Sequence, residues 1–553
     1  MVPPAVQAAV RLQIHDHPFR LGIFDGNIRL TELSALFVET GSGRLGLSTW
    51  KASTAIPGGR RMLFVTSDDR LAKVEVRENS GIVRLHFSLE EKKDSETLGA
   101  SFLTNPSERF FGLVERQEEG RHGLDLRGQR IEMFVQREAG LFQPFYFSSA
   151  GYGVLVEGTW PGYYDMAASH SDEVFLQWEG PQLNLAILTG PEPAKILAAL
   201  NRVIGSPLLP SRWAFGTWLA DHPGDVARLE ALGIPLQVAC GEPGQDKPGA
   251  KDLRRVAAVA APLADYSEPA AVDSWRGRLK RLLIAGFRGF HLSRDPAEPP
   301  LALSVKMHDG RSARESHNDH DRLYQQAAFD TGQAAGGDFV LLAKTGYTGS
   351  QRLAFFGGAD YAANESGLRA ALVASQRAAL MGFPYWGADV RLDDREIGAR
   401  WLAFGAFQPL FRVAAGPPSD PELLAIWRFY ARLRQRMMDY SLRTAQQSVK
   451  TGLPLLRPMF VAEPKEAQAW DRWQQFFYGN DILVGVIWQK GQHSFPMFLP
   501  QGKWVDAWSG KEFNGPTTVT VEAPLHKIPL FLRRNARGLL GDLNAEWAAA
   551  QRP

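Results

Sequence analysis

Apolar and polar positions alternate with three different textures along the 553 residues. Up to residue 204, short two-period runs such as Ile82-Val-Arg-Leu-His-Phe87 and Ile131-Glu-Met-Phe-Val135 are separated by Gly, Asn and Asp turns. A period of two buries one face of a strand, so this texture predicts an N-terminal β-sandwich over 1–204. From 205 to 447, apolar runs at 213–219, 234–239, 287–292, 339–343, 353–356 and 407–413 alternate with helical segments at 367–381 and 421–447. Strand–helix alternation of this length predicts a parallel sheet with helical crossovers, either a β/α barrel or an open sheet. Residues 448–553 return to short strands and turns, predicting a C-terminal β-domain.

Composition narrows the partners. Lys and Arg number 62 against 60 Asp and Glu, and no basic run is interleaved with aromatics, which argues against nucleic acid. No stretch approaches the roughly 18 apolar residues of a membrane span, and the first residues carry no signal-peptide run. Cys240 is the single cysteine, so no internal disulfide can form, and a cytoplasmic, soluble protein is the expectation. The 15 tryptophans fit either large cores or contacts with the apolar faces of sugars.

Three acidic positions follow the apolar runs of the middle region: Asp295 (with Ser293 just before it), Asp360 and Asp389. Carboxylates at three strand ends of one barrel converge on one mouth, although an Asp after a strand also serves to cap the next helix. A carboxylate pair about 5–5.5 Å apart is what retaining glycoside cleavage requires. His317 and His320, with Asp319 and Asp321, form an alternative metal site, but no further cluster supplies ligands, so no metal or other cofactor is expected. Gly41-Ser-Gly-Arg-Leu-Gly46 matches a dinucleotide fingerprint, yet lies between two strand-like runs with no helix after it. Cys240 reads as a small buried residue.

Ordered motifs then carry a resemblance. Phe110-Phe-Gly-Leu-Val-Glu-Arg116, Leu126-Arg-Gly128 and Pro144-Phe-Tyr-Phe-Ser-Ser-Ala-Gly-Tyr-Gly153 precede Asp265-Tyr-Ser-Glu-Pro269 and His317-Asn318. Tyr347-Thr-Gly-Ser-Gln-Arg352, Gly358-Ala-Asp360, Trp386-Gly-Ala-Asp389 and Gly405-Ala-Phe-Gln-Pro-Leu-Phe-Arg412 come next. Gly479-Asn-Asp-Ile-Leu-Val484, Leu499-Pro-Gln-Gly-Lys-Trp504 and Ile528-Pro-Leu-Phe-Leu-Arg533 close the series. In this order the chain resembles the family 31 glycoside hydrolases, mostly retaining α-glycosidases. The resemblance implies a sandwich, a (β/α)8-type barrel and a C-terminal β-domain. It also implies a carbohydrate ligand, Asp360 as acid/base, and Arg352, Trp386, Asp389 and Lys344 as substrate-binding positions.

The departures gather at the expected sugar site. The family's nucleophile falls on Ser293, and only a two-residue insertion brings Asp295 into that place. Gln237, Val238, Ala239, Cys240 and Gly241 stand where the family carries a sugar-gripping aspartate. Lys344 replaces an arginine, which forfeits bidentate hydrogen bonding, and Ala414 stands where the family often has a histidine. The short interval between Leu236 and Phe290 leaves open whether the barrel lacks one strand–helix unit. Two readings follow: a degenerate relative that binds carbohydrate or acts as a scaffold, and a working α-glycosidase using Asp295 and Asp360. Metal-dependent hydrolysis through His317 and His320 is a third.

Overall fold

The computed structural model describes residues 10–115, 123–135, 140–220, 223–243, 253–294 and 302–552. Its N-terminal part is an antiparallel sandwich. The strand Gly43–Ile56 ties the two layers, pairing with Ile28–Thr40 in one and with Gly59–Thr66 in the other. The Gly41–Gly46 fingerprint is therefore a hairpin between two strands. The run at 82–87 falls in the strand Ile82–Leu89, and the run at 131–135 starts in Arg130–Met133 and continues two residues beyond it.

Eight parallel strands follow: Thr217–Leu219, Val238–Gly241, Arg254–Ala261, Gly289–Arg294, Val340–Ala343, Phe355–Gly357, an interrupted strand over 386–390, and Phe411–Val413. The interrupted strand closes the ring. Trp386 and Gly387 pair with Phe356 and Gly357, whereas Asp389 and Val390 pair with Arg412 and Val413. Phe411–Val413 in turn pairs with Thr217–Leu219. A closed barrel replaces the open-sheet alternative, and its ring of strands is complete. The strand that seemed absent is Arg254–Ala261, followed by the helix Pro269–Ile284. Its sequence, RRVAAVAA, packs small alanines rather than the bulky residues that mark a buried strand in sequence.

Helices cover the barrel with recognisable caps. Asn364 accepts from Gly367 N to open Glu365–Leu380, and Asp420 accepts from Glu422 N and Leu423 N to open Pro421–Thr451. Gly452, at φ +73°, stops the latter. Beyond it, six strands form an antiparallel C-terminal sheet dominated by the hairpin of Ser494–Asp506 with Glu512–Glu522. Among the described residues no helix is long and apolar enough to cross a membrane.

One side chain on the long helix fastens these parts. Arg434 is fully buried and donates to the carbonyls of Phe215, Ala406, Gln408 and Pro409 and to the Tyr478 hydroxyl. Those acceptors belong to the entry of the first barrel strand, the approach to the last, and the C-terminal sheet. Burial alone lowers the Arg434 pKa, and the ring of oxygens is what makes a charge tolerable there. Arg400 docks the C-terminal domain similarly, through the carbonyls of Gln492 and Ala523. Arg434→Met strands four buried carbonyls at about 1–3 kcal/mol each before relaxation. Thermal unfolding of that variant is expected on the order of 10 °C lower; an unchanged midpoint would show the clamp to be dispensable.

Candidate active site

Register decides which side chains enter the barrel. Paired residues of parallel neighbours share a face, and the face alternates along each strand. Arg412 pairs with Trp218 and Asp389, His291 with Ala258 and Leu342, and Ser293 with Ala260. Lys344 directly follows Ala343, the partner of Leu292, and so stands level with Ser293. Around the ring, Cys240, Ser293, Lys344, Asp389 and Arg412 share the inner face at the strands' C-terminal ends, with His291 one layer below Ser293. Cys240 is fully buried.

Two ion pairs sit in this mouth. Arg412 Nη1 lies 2.6 and 2.7 Å from the two oxygens of Asp389, with the arginine buried and the aspartate 14% exposed. Lys344 Nζ is 3.4 Å from Asp360 Oδ1, but Asp360 is 69% exposed. A rim pair of that kind contributes under about 1 kcal/mol, so Asp360 is held lightly. His291 is buried, and its Nε2 has no hydrogen-bond partner. Burial first, and then the positive charges of Arg412 and Lys344, hold its pKa well below the ordinary 6.5.

The sandwich builds half of this mouth. Thr345–Gly346 adds in parallel to Gly140–Leu141, and Gly140 N donates to Lys344 O at 3.3 Å. Glu115, from the Phe-Phe-Gly-Leu-Val-Glu motif, accepts from Leu141 N at 3.1 Å, Tyr361 Oη at 2.9 Å and Ala359 N at 3.4 Å. It thereby grips both neighbours of Asp360. Burial raises the Glu115 pKa above its ordinary 4.5, against those hydrogen bonds. Asn318 is a second strut, accepting from Val135 N and donating to Met133 O, both at 2.9 Å.

Several expected site residues lie elsewhere. Trp386 is 1% exposed and packs edge-on against Tyr361, with Gly358 so close that a Cβ there would meet its ring at 2.5 Å. No ring face is left for a sugar, so Trp386 shapes the Asp360 loop from beneath. Arg352 sits in the turn Ser350–Arg352 against Gly205, before the strand Phe355–Gly357, hence at the opposite end of the barrel from Asp360. The chain between Ala343 and Phe355 runs back down the barrel without an α-helix, which carries Arg352 away. Asp295 lies outside the described residues. His317 Nε2 meets Val135 O at 2.8 Å and His320 Nε2 meets Ala264 O at 2.9 Å. Different segments use them, which overturns the shared metal site. Among the described residues no group of three or more His, Cys, Asp and Glu could hold a metal.

Glu115, Tyr361, His291 and Arg412 were not expected as members of the site. Glu115 lay within a recognised motif, but nothing local ties it to Ala359, 244 residues away. His291 shares a face with Ser293 by simple alternation, a signal readable once the strand is known.

An eight-stranded parallel barrel with carboxylates at its strand ends thus lies between two β-domains. The profile of the glycosyl hydrolases family 31 TIM-barrel domain matches residues 228–444, and that of the family 31 C-terminal domain matches 452–536. The chain belongs to glycoside hydrolase family 31. It is 26% identical over 294 residues to a 1,3-alpha-isomaltosidase of Kribbella flavida, covering 49% of this chain and 40% of that one. To the alpha-xylosidase XylQ of Lactiplantibacillus pentosus it is 24% identical over 523 residues, 78% of this chain and 68% of that one. The chain thus spans less than half the length of the isomaltosidase it matches. In fold it is similar to a family 31 sulfoquinovosidase from E. rectale solved with an aza-sugar inhibitor. That pair has a TM-score of 0.83 at 16% identity, over 98% and 99% of the two chains.

Glu115→Ala leaves the Leu141 and Ala359 amides without their acceptor, at about 2–5 kcal/mol, and exchange of the Ala359 amide with solvent deuterium should quicken. The raised pKa carries a sign. The native state keeps the Glu115 proton where the unfolded chain has lost it, so this group's contribution to stability falls as pH rises from about 4.5 toward the raised value. Denaturation of wild type against Glu115→Gln across that range should show stability falling more steeply with pH in wild type, the difference being the Glu115 contribution.

Proposed function

We propose that the barrel mouth binds an α-linked glycoside and that the family's two-step hydrolysis is weak or absent in this chain. What supports this reading is Ser293, which lies on the inner face level with Lys344 and falls on the family's attacking carboxylate when the two are matched without an insertion. A retaining cleavage needs one carboxylate to attack the anomeric carbon and another to protonate the leaving oxygen and later activate water. Asp360, exposed at the rim, suits the second task. Ser293 has no charge to support an oxocarbenium-like transition state, and loss of a coupled catalytic group costs on the order of 10⁴–10⁶ in rate.

The rest of the mouth agrees. Asp389, held by Arg412, keeps exposed surface for sugar hydroxyls. The relatives' names suggest the ligand class: isomaltosides, xylosides and sulfoquinovosides. A single buried cysteine suits a reducing, cytoplasmic setting. The second reading, a working hydrolase, is favoured by one feature, the carboxylate of Asp295 two residues beyond Ser293.

Aryl α-glucoside, xyloside, galactoside and sulfoquinovoside, offered at high protein concentration, separate the two. The expected result is ligand-induced thermal stabilisation by at least one sugar without turnover above background. Ser293→Asp should then raise hydrolysis of that sugar at least about tenfold, a small part of what a lost catalytic group forfeits. Robust wild-type turnover that disappears in both Asp360→Asn and Asp295→Asn would overturn the proposal and make Asp295 the nucleophile.

A further inference from the structure

Away from the barrel mouth, the C-terminal domain and the helix that follows the sandwich frame a cavity of about 440 Å³. That volume falls in the range of roughly 300–1,000 Å³ typical of small-molecule sites. Its wall draws on Glu192 and Ala194 at the start of the helix Pro193–Ile204, and otherwise on residues between Leu453 and Asn535. No barrel strand contributes to it. Arg457 is the buried cation of this wall. It is 4% exposed, its Nε donates to Pro454 O at 2.8 Å, and its Nη1 donates to Asn480 Oδ1. Among the described residues its Nη2 has no hydrogen-bond partner, and no carboxylate pairs with the guanidinium. Burial lowers its pKa to about 10, so it stays charged near neutral pH.

The other polar groups of the wall decide what can meet that donor. Arg533 is committed to Glu463 and to Gln501 O. Asp481 accepts from the Tyr440 hydroxyl through Oδ2 at 3.1 Å, which leaves Oδ1 for a ligand. Glu192 opens its helix without a side-chain hydrogen bond. One guanidinium donor and two carboxylates with unused oxygens therefore line one cavity. An anion drawn to Arg457 would meet both carboxylates, and a cation drawn to them would meet the buried guanidinium. Hydroxyl groups suit both, because each donates one hydrogen bond and accepts others. Leu453, Val461 and Pro464 supply an apolar flank for the C–H face of a ring.

We infer that this junction cavity is a second carbohydrate site, taking a neutral sugar ring whose hydroxyls donate to Asp481 and Glu192 and accept from Arg457. The site goes beyond the reading of the mouth and stands on separate residues. Glu192 follows the sandwich, whereas Arg457 and Asp481 belong to the C-terminal domain. An occupant therefore ties these two parts together, and the melting midpoint should rise with sugar concentration.

The test is titration calorimetry on the full chain with glucose, maltose and isomaltose, in wild type and in Asp389→Asn, which weakens the mouth's hold on sugar. At least one sugar should bind saturably in the millimolar range to both proteins. In the Asp389→Asn background, Glu192→Ala with Asp481→Asn should weaken that binding at least about tenfold, or about 1.4 kcal/mol. Ala462→Trp, which sets a bulky ring on the half-buried wall, should abolish it. Glu192→Ala alters only a half-exposed side chain and guards against a plugged variant that fails to fold. Should Asp389→Asn not fold, Ala462→Trp alone gives the same reading by removing one binding event from wild type. Loss of all sugar binding in folded Asp389→Asn overturns the proposal, as does binding indifferent to both the paired substitutions and the plug. Inorganic phosphate bound in this cavity more tightly than any of the sugars also overturns it, in favour of an anion site. Sugar binding that survives Asp389→Asn but not Ala462→Trp upholds the junction site even where the mouth binds nothing.

Discussion

The strand over 386–390 serves two neighbours with different residues, and the barrel closes only because it does. Its first two residues hydrogen-bond to Phe355–Gly357 and its last two to Phe411–Val413. The switch falls at Ala388, whose amide would be orphaned at the break. Gln408 Oε1 accepts from it at 3.0 Å. Gln408 is in turn held by its own carbonyl on Arg434, which also fixes Phe215, Ala406 and Pro409. A fully buried guanidinium spreading its donors over four backbone oxygens is the physical reason that a ring of two- to eight-residue strands keeps one register. The same switch turns Trp386 outward toward Tyr361 and Asp389 inward toward Arg412, so the layout of the mouth follows from the way the ring is shut.

A closed ring positions strand ends but not the loops beyond them, and here the sandwich takes over. Glu115 holds Ala359 and Tyr361 on either side of Asp360, while Gly140–Leu141 extends the sandwich sheet into Thr345–Gly346 next to Lys344. Asn318 and His317 bind Met133 and Val135 from the barrel side. These contacts are buried and mostly backbone-directed, so they transmit position rather than merely adhesion. The Lys344–Asp360 pair itself is too exposed to hold either residue in place. Lys344 and Asp360 therefore owe their position to the N-terminal domain.

What the sequence disclosed follows the strength of its local signals. Bulky apolar runs marked six of the barrel strands, and caps such as Asn364 and Asp420 made the long helices readable. Arg254–Ala261 was missed because its alanines have too little apolar bulk to mark a buried strand, and the 386–390 strand because its break interrupts the pattern. Motif order carried the family, since each motif is a short stretch with its own turn or pairing role. The site was harder to read. Trp386 and Arg352 matched motifs, yet the first lies beneath the loop and the second at the barrel's other end, because a motif fixes local conformation and not which side of the ring a side chain reaches. Glu115 and His291 gained their roles from partners far away in sequence, where local pattern carries no information.

Charge in the mouth explains why these departures belong together. With a carboxylate at position 293, Lys344 and Arg412 would face three acids, and the mouth would be net negative, suited to an oxocarbenium-like centre. With Ser293 the described pairs cancel, Arg412 against Asp389 and Lys344 against Asp360. His291, kept neutral chiefly by burial, adds no charge to them. A carboxylate added at a strand end would thus do more than supply a nucleophile: it would set the net charge of a mouth that the surrounding ring holds in shape.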